Sequence, residues 1–325
     1  MLPFSNISIA DMTQRLAQAL RNVSFNQTML RVKDPKKSVA FYERHFQLTL
    51  AHQSHFPDFS LYFLVSLPTS TLPDNLKNAK YINDGEYGVL LELTHNHGTE
   101  SNPSFRYHPG NTAPLGFGQL GFAVPAGALP ATKSSLEAQG HDVDAFDTTL
   151  LTHDPDGYEI QVTERSSSNR VDAVSFHHTT LRVKDAKASL EFYQTIAGFS
   201  LLNTQRNEKE KYTSYFLGTT TTDALSDEDL RNQLGTVLEL RHFDGTELLG
   251  DDFKYSHGNA DPHRGFGHVA IMVEDVYESS AVWEELGIKF QKKPDAGRIK
   301  GLAFILDPDG YWVEVLGRGA HVEGM

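Results

Sequence analysis

The 325-residue sequence contains no cysteine. This absence excludes a disulfide framework, thiolate metal ligands and thiol redox chemistry. Any metal ion in this protein must therefore be held by histidine, carboxylate or amide side chains.

Long hydrophobic runs and positive charge are also scarce. No apolar segment approaches the roughly 20 residues that a membrane-spanning helix needs, and residues 1–25 lack the apolar core of a signal peptide. We therefore expect a cytoplasmic protein with no membrane partner. The formal net charge is −13 at pH 7, whereas binding to phosphate backbones requires a basic surface. We expect no nucleic-acid partner and a small molecule as the ligand.

The chain is long enough, with 325 residues of which 39% are hydrophobic, for two globular domains with cores of their own. Apolar residues at spacings of four and three (Leu16, Leu20 and Val23) predict an amphipathic helix over residues 9–23. The predicted division is a helical arm at 1–24, a first domain at 25–163, a linker at 164–174, a second domain at 175–317 and a tail at 318–325.

Residues 27–94 have the pattern of one βαβββ module. An alternating strand runs into Asp34 and Pro35, an N-cap residue followed by proline at the first helical position. The other predicted elements are a helix at 36–46, strands at 48–52, 59–65 and 87–94, and an insertion loop at 68–86. A second module begins at Gly116, continues through a helix at about 127–139, and ends on the turn and strand that start at Asp154.

The same pattern recurs in the second half of the chain, which indicates an internal duplication. His178 to Asp185 repeats residues 27–34 at an offset of 151, and the turn Asp307-Pro308-Asp309-Gly310 repeats residues 154–157 at an offset of 153. Two further segments, at 90–93 and 116–120, recur at offsets of 147 and 149. We therefore predict an α+β protein built from four βαβββ modules in two tandem domains.

Residues that can bind a metal occupy equivalent strand positions in all four modules. They are Gln27, Glu92, Gln119 and Gln161 in the first copy, and His178, Glu239, His268 and Glu314 in the second. Carboxylate, imidazole and amide oxygen are ligands of hard and borderline divalent ions. A single histidine or glutamate on a strand is more often a surface residue, so the recurrence is what indicates a metal site.

Several long motifs resemble the glyoxalase I (lactoylglutathione lyase) family, in the duplicated two-domain form found in fungi and within the vicinal-oxygen-chelate superfamily. They are Gln27 to Pro35, Leu91 to Glu100, Arg264 to His268, Lys292 to Arg298 and Asp307 to Glu314. The resemblance covers nearly the whole chain. It implies glyoxalase-like domains and a divalent metal bound by Gln or His, Glu, His and Glu, with each pair of ligands coming from a different module.

The pairing of modules decides which ligands meet. Modules one and two together would supply Gln27, Glu92, Gln119 and Gln161, with a single carboxylate. Modules one and four together would supply Gln27, Glu92, His268 and Glu314. We predict the second arrangement because only it gives a competent set. The other site would then be degenerate, with the residues His178, Glu239, Gln119 and Gln161.

The family resemblance also implies the chemistry, which is isomerisation of the hemithioacetal of glutathione and methylglyoxal to S-lactoylglutathione. Glu314 is the implied general base, and Glu92 serves the opposite face or stays a ligand. Zn²⁺ is the expected ion, and Ni²⁺ or Co²⁺ fits the same ligands. The implied glutathione contacts are Arg31, Asn96, Arg264, Lys292 and Arg298. We expect a monomer, because the duplication lets one chain supply both faces of a site.

Three alternatives stay open. Both sites could be active. A dioxygenase on the same scaffold would use Fe(II) held by two histidines and one carboxylate, which neither ligand set supplies. A small-molecule binding protein of the same fold would need neither a metal nor a base.

Overall fold

The computed structural model describes residues 9–66, 88–166 and 172–319, so the predicted insertion loop at 68–86 lies outside the described residues. Helix α1 (Ile9–Ala19) precedes the four modules. Module one contains β1 (Ser24–Arg31), α2 (Pro35–Phe46), β2 (Leu48–His55), β3 (Phe59–Ser66) and β4 (Leu90–Asn96). Module two contains β5 (Phe117–Val124), α3 (Leu129–Glu137), β6 (Asp144–Phe146), β7 (Thr149–His153) and β8 (Glu159–Glu164).

The second half of the chain repeats this order of strands. Module three contains β9 (Ser175–Val183), α4 (Ala186–Glu191) with a π-helical turn at Phe192–Ile196, β10 (Ser200–Asn207), β11 (Tyr212–Gly218), α5 (Asp227–Asn232) and β12 (Val237–Phe243). Module four contains β13 (Phe266–Val273), α6 (Val276–Glu285), β14 (Phe290–Lys292), β15 (Leu302–Leu306) and β16 (Trp312–Gly317). The predicted α+β class and the four βαβββ modules are confirmed, and α5 is an insertion that the sequence pattern did not predict.

Two eight-stranded mixed sheets form the body of the protein. Sheet one has the order β14-β15-β16-β13-β1-β4-β3-β2, and sheet two has the order β10-β11-β12-β9-β5-β8-β7-β6. Sheet one therefore joins modules one and four through the antiparallel pair β1 and β13. Sheet two joins modules two and three through the antiparallel pair β5 and β9. The predicted pairing of modules one and four is confirmed.

The two sheets pack back to back. Thr28 on β1 and Thr179 on β9 meet through their hydroxyls, whose oxygens lie 2.6 Å apart, and the rings of Phe117 and Phe266 stack at 5.0 Å. Because side chains alternate along a strand, the neighbours of Thr28 and Thr179 point away from this contact, to the outer faces of the two sheets.

Local sequence chemistry explains how α2 begins and how α1 ends. The Asp34 side chain accepts a hydrogen bond from the Lys36 N–H at 3.1 Å, with Pro35 as the first helical residue, as predicted. Helix α1 ends at Ala19 instead of residue 23. Asn22 adopts φ 53°, a left-handed conformation that asparagine tolerates and that a helix cannot continue through.

The two Asp-Pro-Asp-Gly turns fasten each module to its sequence neighbour in the other sheet. The Asp307 carboxylate accepts hydrogen bonds from the backbone N–H groups of Asp309 and Tyr311 at 3.0 and 2.8 Å. The hydroxyl of Tyr193, from module three, donates to the same carboxylate at 3.0 Å. The first copy repeats this contact, with Tyr42 donating to Asp154 at 2.9 Å.

Within the described residues, no helix is long and apolar enough to cross a membrane.

We predict that Asp307 makes stability depend on pH. Burial raises the pKa of Asp307 from the ordinary 3.8 to about 8, more than its hydrogen bonds lower it. The folded state therefore holds this proton up to a higher pH than the unfolded state does. As pH rises from about 4 to 8, the free energy of unfolding should fall through this group, because the unfolded state releases the proton at a lower pH than the folded state does.

Asp307→Asn should flatten this dependence, because an amide does not titrate while it keeps the turn's acceptor oxygen. The measurement is urea unfolding at several pH values, with the exposed Asp251→Asn as the control. An unchanged pH slope in Asp307→Asn would contradict the prediction.

Candidate metal centre

The four central strands of sheet one each deliver one ligand-capable side chain to its outer face. Gln27 lies on β1, Glu92 on β4, His268 on β13 and Glu314 on β16. All four are buried, with exposed fractions of 1, 3, 5 and 4%. The β1 to β13 seam thus brings together residues that lie 241 positions apart in the chain.

The polar ends of these side chains converge on one point. Gln27 Nε2 donates to Glu92 Oε2 and Glu314 Oε2, both at 2.7 Å, and lies 3.3 Å from His268 Nε2. His268 Nε2 is 3.0 Å from Glu314 and 3.5 Å from Glu92. One atom each from Glu92, His268 and Glu314 lies within 4.8 Å of the others, and among the described residues this is the one such group.

Two buried carboxylates give this cluster an excess of negative charge. Burial lowers the pKa of His268, but the charges and hydrogen bonds of Glu314 and Glu92 outweigh it and raise that pKa to about 9. A buried carboxylate pair needs a counter-charge nearby. The protonated imidazole can supply one positive charge against a formal charge of −2.

The donor set of this site fits a divalent metal ion. The Gln27 amide has two N–H protons for three nearby acceptors, and its Oε1 is buried without a hydrogen-bond partner. Amide oxygen, imidazole nitrogen and two carboxylates are N and O ligands of a borderline divalent ion, and a charge of +2 balances Glu92 and Glu314. With an ion bound, the amide would turn so that Oε1 faces it.

The equivalent site in sheet two is also assembled, from Gln119, Gln161, His178 and Glu239. Gln119 Nε2 donates to Gln161 Oε1 and lies 3.2 Å from His178 Nε2. His178 Nε2 is 3.7 Å from Glu239 Oε2. Burial and the neighbouring His177 lower the pKa of His178 to about 3, so this histidine is neutral, in contrast to His268.

Glu239 in the second site is paired with an arginine of its own strand. Arg241 Nε donates to Glu239 Oε1 at 2.9 Å, and Arg241 Nη2 donates to Oε2 at 3.2 Å. The hydroxyls of Ser214 and Thr180 donate to the same carboxylate. Burial raises the pKa of Glu239. Arg241, His178 and these hydrogen bonds lower it by more than burial raises it, so the resulting pKa is about 2.

Comparison with known proteins decides the family. A model of the Glyoxalase/Bleomycin resistance protein/Dioxygenase superfamily matches residues 24–163 and 175–315. The chain is 38% identical over 321 residues to glyoxalase I of Saccharomyces cerevisiae, covering 90% of this chain and 92% of that protein. It is 35% identical over 306 residues to the lactoylglutathione lyase of Schizosaccharomyces pombe, covering 90% and 95%. The chain belongs to the glyoxalase I family.

A solved structure of the glyoxalase I family shares the architecture. A crystal structure of a glyoxalase I variant from Zea mays superposes with a TM-score of 0.67 at 25% identity, covering 94% of this chain and 97% of that chain. The match spans both halves, so the two-sheet arrangement of tandem modules is common to the two proteins.

The residues at which the glyoxalase I family implies glutathione contacts belong to modules one and four or to the segment just before β13, and each has partners within the protein. Arg298 Nη2 donates to Asp58 Oδ1 at 2.9 Å, across from module four to module one. Lys292 Nζ donates to the Leu302 carbonyl at 2.6 Å, and burial lowers its pKa while the Glu314 charge opposes this. The Asn96 amide donates to the Tyr107 hydroxyl at 2.7 Å, and Arg264 pairs with Asp261 at 3.0 Å. Their role in binding glutathione stays a prediction.

Arg31 has a structural role in addition to any ligand contact. Its Nη2 donates to Asn259 Oδ1 at 2.8 Å, and its Nη1 donates to three backbone carbonyls of module four. Arg182, its counterpart in sheet two, makes the same set of bonds with Asn111 and carbonyls of module two. Because both copies make these bonds, they stabilise the seam between modules whether or not a ligand is bound.

Arg241 is a residue of the second site that the sequence prediction missed. The repeat that aligns Glu92 with Glu239 also aligns Thr94 with Arg241, two residues further along each strand. Residues two apart on a strand share a face, so a cation at this position lies beside the glutamate. Extending the repeat comparison by one residue beyond the matched segment 90–93 would have shown a cation at this position, although not its pairing with Glu239.

We predict that metal removal destabilises the protein through the first site. A ligand present at a hundred times its dissociation constant adds about 2.7 kcal/mol to the free energy of unfolding. Chelation should therefore lower the melting temperature of the wild type, and added Zn²⁺ should restore it. Glu92→Gln should shrink this metal-dependent difference in melting temperature, because it removes a ligand charge.

The measurement is differential scanning fluorimetry with and without chelator. Glu239→Gln is the matched control that should keep the difference. A difference that vanishes in Glu239→Gln and persists in Glu92→Gln would contradict the prediction.

Proposed function

We propose that this protein is a lactoylglutathione lyase that converts the hemithioacetal of glutathione and methylglyoxal to S-lactoylglutathione at one competent site, formed by modules one and four. The support from relatives is the extended similarity to yeast proteins named glyoxalase I and lactoylglutathione lyase. The observation that carries the proposal is the convergence of Gln27, Glu92, His268 and Glu314 in one buried cluster with two carboxylates.

The reaction requires moving a proton between two adjacent carbons of the substrate. A bound divalent ion supplies a Lewis acid that stabilises negative charge on the substrate oxygens. Gln27 and His268 would hold the ion without adding negative charge. Glu314 takes the proton from the first carbon as general base and returns it to the second as the conjugate acid. Glu92 stays a ligand or serves the opposite face of the substrate.

Burial of the cluster favours this proton transfer. The exposed fractions of Glu92 and Glu314 are 3 and 4%, so water competes little for either carboxylate. Electrostatic interactions are stronger in such a site than in water. The cross-strand positions of both glutamates fix them on the sheet, so the acceptor oxygen does not have to be ordered when substrate binds.

We further propose that cations of modules one and four bind the carboxylates of glutathione. Arg264, Lys292 and Arg298 supply positive charge on the side of module four, and Arg31 supplies it on the side of module one. Guanidinium groups pair with carboxylates in two-point geometry. The Arg298 guanidinium also lies 5.6 Å from the rings of Phe56 and Phe59, which orients it over module one. Asn96 completes the proposed set with an amide.

The second site does not retain this chemistry in our proposal. Gln161 occupies the position of Glu314, and an amide is not a base near neutral pH. Glu239 is held by Arg241 in a two-point ion pair. The residues at the positions of Asn96 and Arg264 are Phe243 and Leu115, neither of which pairs with a carboxylate.

We propose Zn²⁺ as the ion, because the ligand set of amide, imidazole and two carboxylates suits it. Ni²⁺ and Co²⁺ use the same ligands. We also propose a monomer, since each site is completed by two modules of one chain. The cytoplasmic location stays a prediction of the sequence.

We predict that Glu314→Gln lowers kcat by about 10²- to 10⁴-fold, the range that general-base catalysis contributes. The matched variant Glu239→Gln, at the second site, should keep nearly full turnover. The measurement is thioester formation from preformed hemithioacetal, followed by absorbance. If Glu239→Gln removes about half of the activity, the proposal of one competent site is wrong.

We predict that Arg298→Ala raises KM for the hemithioacetal about tenfold with little change in kcat, since a hydrogen bond to a charged group contributes roughly 1.5 kcal/mol. The control is Arg206→Ala, an arginine beside the second site that pairs with Asp244 at 2.6 Å. It should leave KM unchanged. Equal effects of the two variants would contradict the assignment of Arg298.

A further inference from the structure

The two sites differ in buried charge more than in shape. Glu92 and Glu314 give the first site a formal charge of −2, which a divalent ion would balance. In the second site Gln161 replaces one carboxylate, and Arg241 offsets the charge of Glu239. The formal charges of Glu239 and Arg241 therefore balance each other with no ion bound.

Within the described residues, the buried polar side-chain atoms of the second site all have hydrogen-bond partners. The Gln119 amide gives one N–H to Gln161 Oε1 and has His178 Nε2 as its other acceptor. His178 Nδ1 lies 2.9 Å from His177 Nδ1, and His177 Nε2 lies 2.8 Å from the Leu230 carbonyl. These contacts form one chain of alternating donors and acceptors. Among the described buried atoms without a partner is Gln27 Oε1 of the first site, but none from the four second-site residues.

Arg241 is positioned as a fixed part of this site. Its side chain is 12% exposed, and its guanidinium lies 4.7 Å from the ring of Tyr212. A guanidinium paired in two-point geometry and stacked on an aromatic ring loses little further freedom. It engages both oxygens of Glu239, the only carboxylate among the four second-site positions.

We propose that Arg241 is a built-in counter-ion that replaces the divalent metal in the second site and excludes metal from it. The inference rests on the proposed function in one respect, that the first site is the metal centre. It goes beyond that function by naming the residue that makes the second site metal-free. The site keeps an open cavity of about 830 Å³, lined in part by Gln119, Gln161, Glu239 and Arg241, so exclusion follows from charge and not from lack of space.

Reciprocal exchange of Arg241 and Thr94 tests the proposal. Thr94 holds the equivalent place beside Glu92, to which its hydroxyl donates at 3.0 Å. The measurement is metal content by elemental analysis of desalted protein loaded with Zn²⁺, and the wild type should carry about one ion per chain. Gln161→Glu restores the second carboxylate. The metal content should nevertheless stay near one ion per chain, because Arg241 is still paired with Glu239. The double variant Gln161→Glu with Arg241→Thr should double it, to about two.

The opposite exchange should remove the first ion. Thr94→Arg should weaken Zn²⁺ binding at least about tenfold, the lower end of the effect that neighbours of metal ligands have. Thr94→Gln adds bulk without charge and keeps an N–H donor that can replace the hydroxyl bond to Glu92, so it is the matched control that should keep the ion. Circular dichroism of every variant checks folding, and Arg241→Gln replaces Arg241→Thr in the double variant if the latter does not fold.

Three results would overturn the role of Arg241. They are two ions per chain in the wild type, two in Gln161→Glu alone, or one in the folded double variant. Failure of the proposed function gives a different result. A wild type that holds one ion but forms no thioester would contradict the lyase assignment. The metal content of the second-site variants would still test the role of Arg241. Co²⁺ absorbance of the double variant provides a readout of the new site that does not depend on activity.

Discussion

The antiparallel pairing of β1 with β13 is the constraint on which the candidate metal centre depends. It places the first strand of module one beside the first strand of module four, so Met29 lies opposite His268 and Gln27 opposite Ala270. The parallel partners β4 and β16 then bring Glu92 and Glu314 in from either side. No single module carries more than two of the four side chains, and the pairing of β5 with β9 repeats the arrangement in sheet two.

The two sheets show what a duplicated scaffold keeps and what it lets change. The bonds of Arg31 and Arg182 across the seams are the same in both sheets, as are the tyrosine contacts to the Asp-Pro-Asp-Gly turns. These interactions stabilise the fold. The ligand positions have diverged, and His268 and His178 illustrate the result, since the pKa of one is about 9 and that of the other about 3. The two sites therefore differ in the protonation of their histidines because a few neighbouring side chains give them different electrostatic surroundings.

Close packing explains one further difference between the sheets. His178 lies directly over Gly121, where an added Cβ would come within 2.1 Å of its ring. The equivalent pair in sheet one is Gln27 and Ala270. A ring at the position of Gln27 thus requires a residue without a side chain across the seam. Ligand type and backbone neighbour are matched in each sheet.

Much of the fold and the ligand cluster could be predicted from the sequence, because the signals were local or repeated. Asp34 and Pro35 specify the start of α2 through short-range chemistry, and the recurrence of Asp-Pro-Asp-Gly exposed the duplication. The loss of Glu at position 161 indicated which modules share a site. Helix α5 was not predicted, since six residues capped by Ser226 leave little periodic pattern. The role of Arg241 depends on where a long side chain turns, which tertiary contacts with Glu239 and Tyr212 decide.

Each sheet combines one module from each half of the chain, and this has a consequence for folding during synthesis. When the first half has emerged from the ribosome, β1 and β5 both lack the antiparallel partners that β13 and β9 will provide. Open strand edges of this kind pair readily with other chains, and such long-range pairing slows folding. Neither sheet can close until the second half is synthesised, and sheet one closes only with its last quarter. Newly made protein therefore passes through an interval in which it is vulnerable to aggregation.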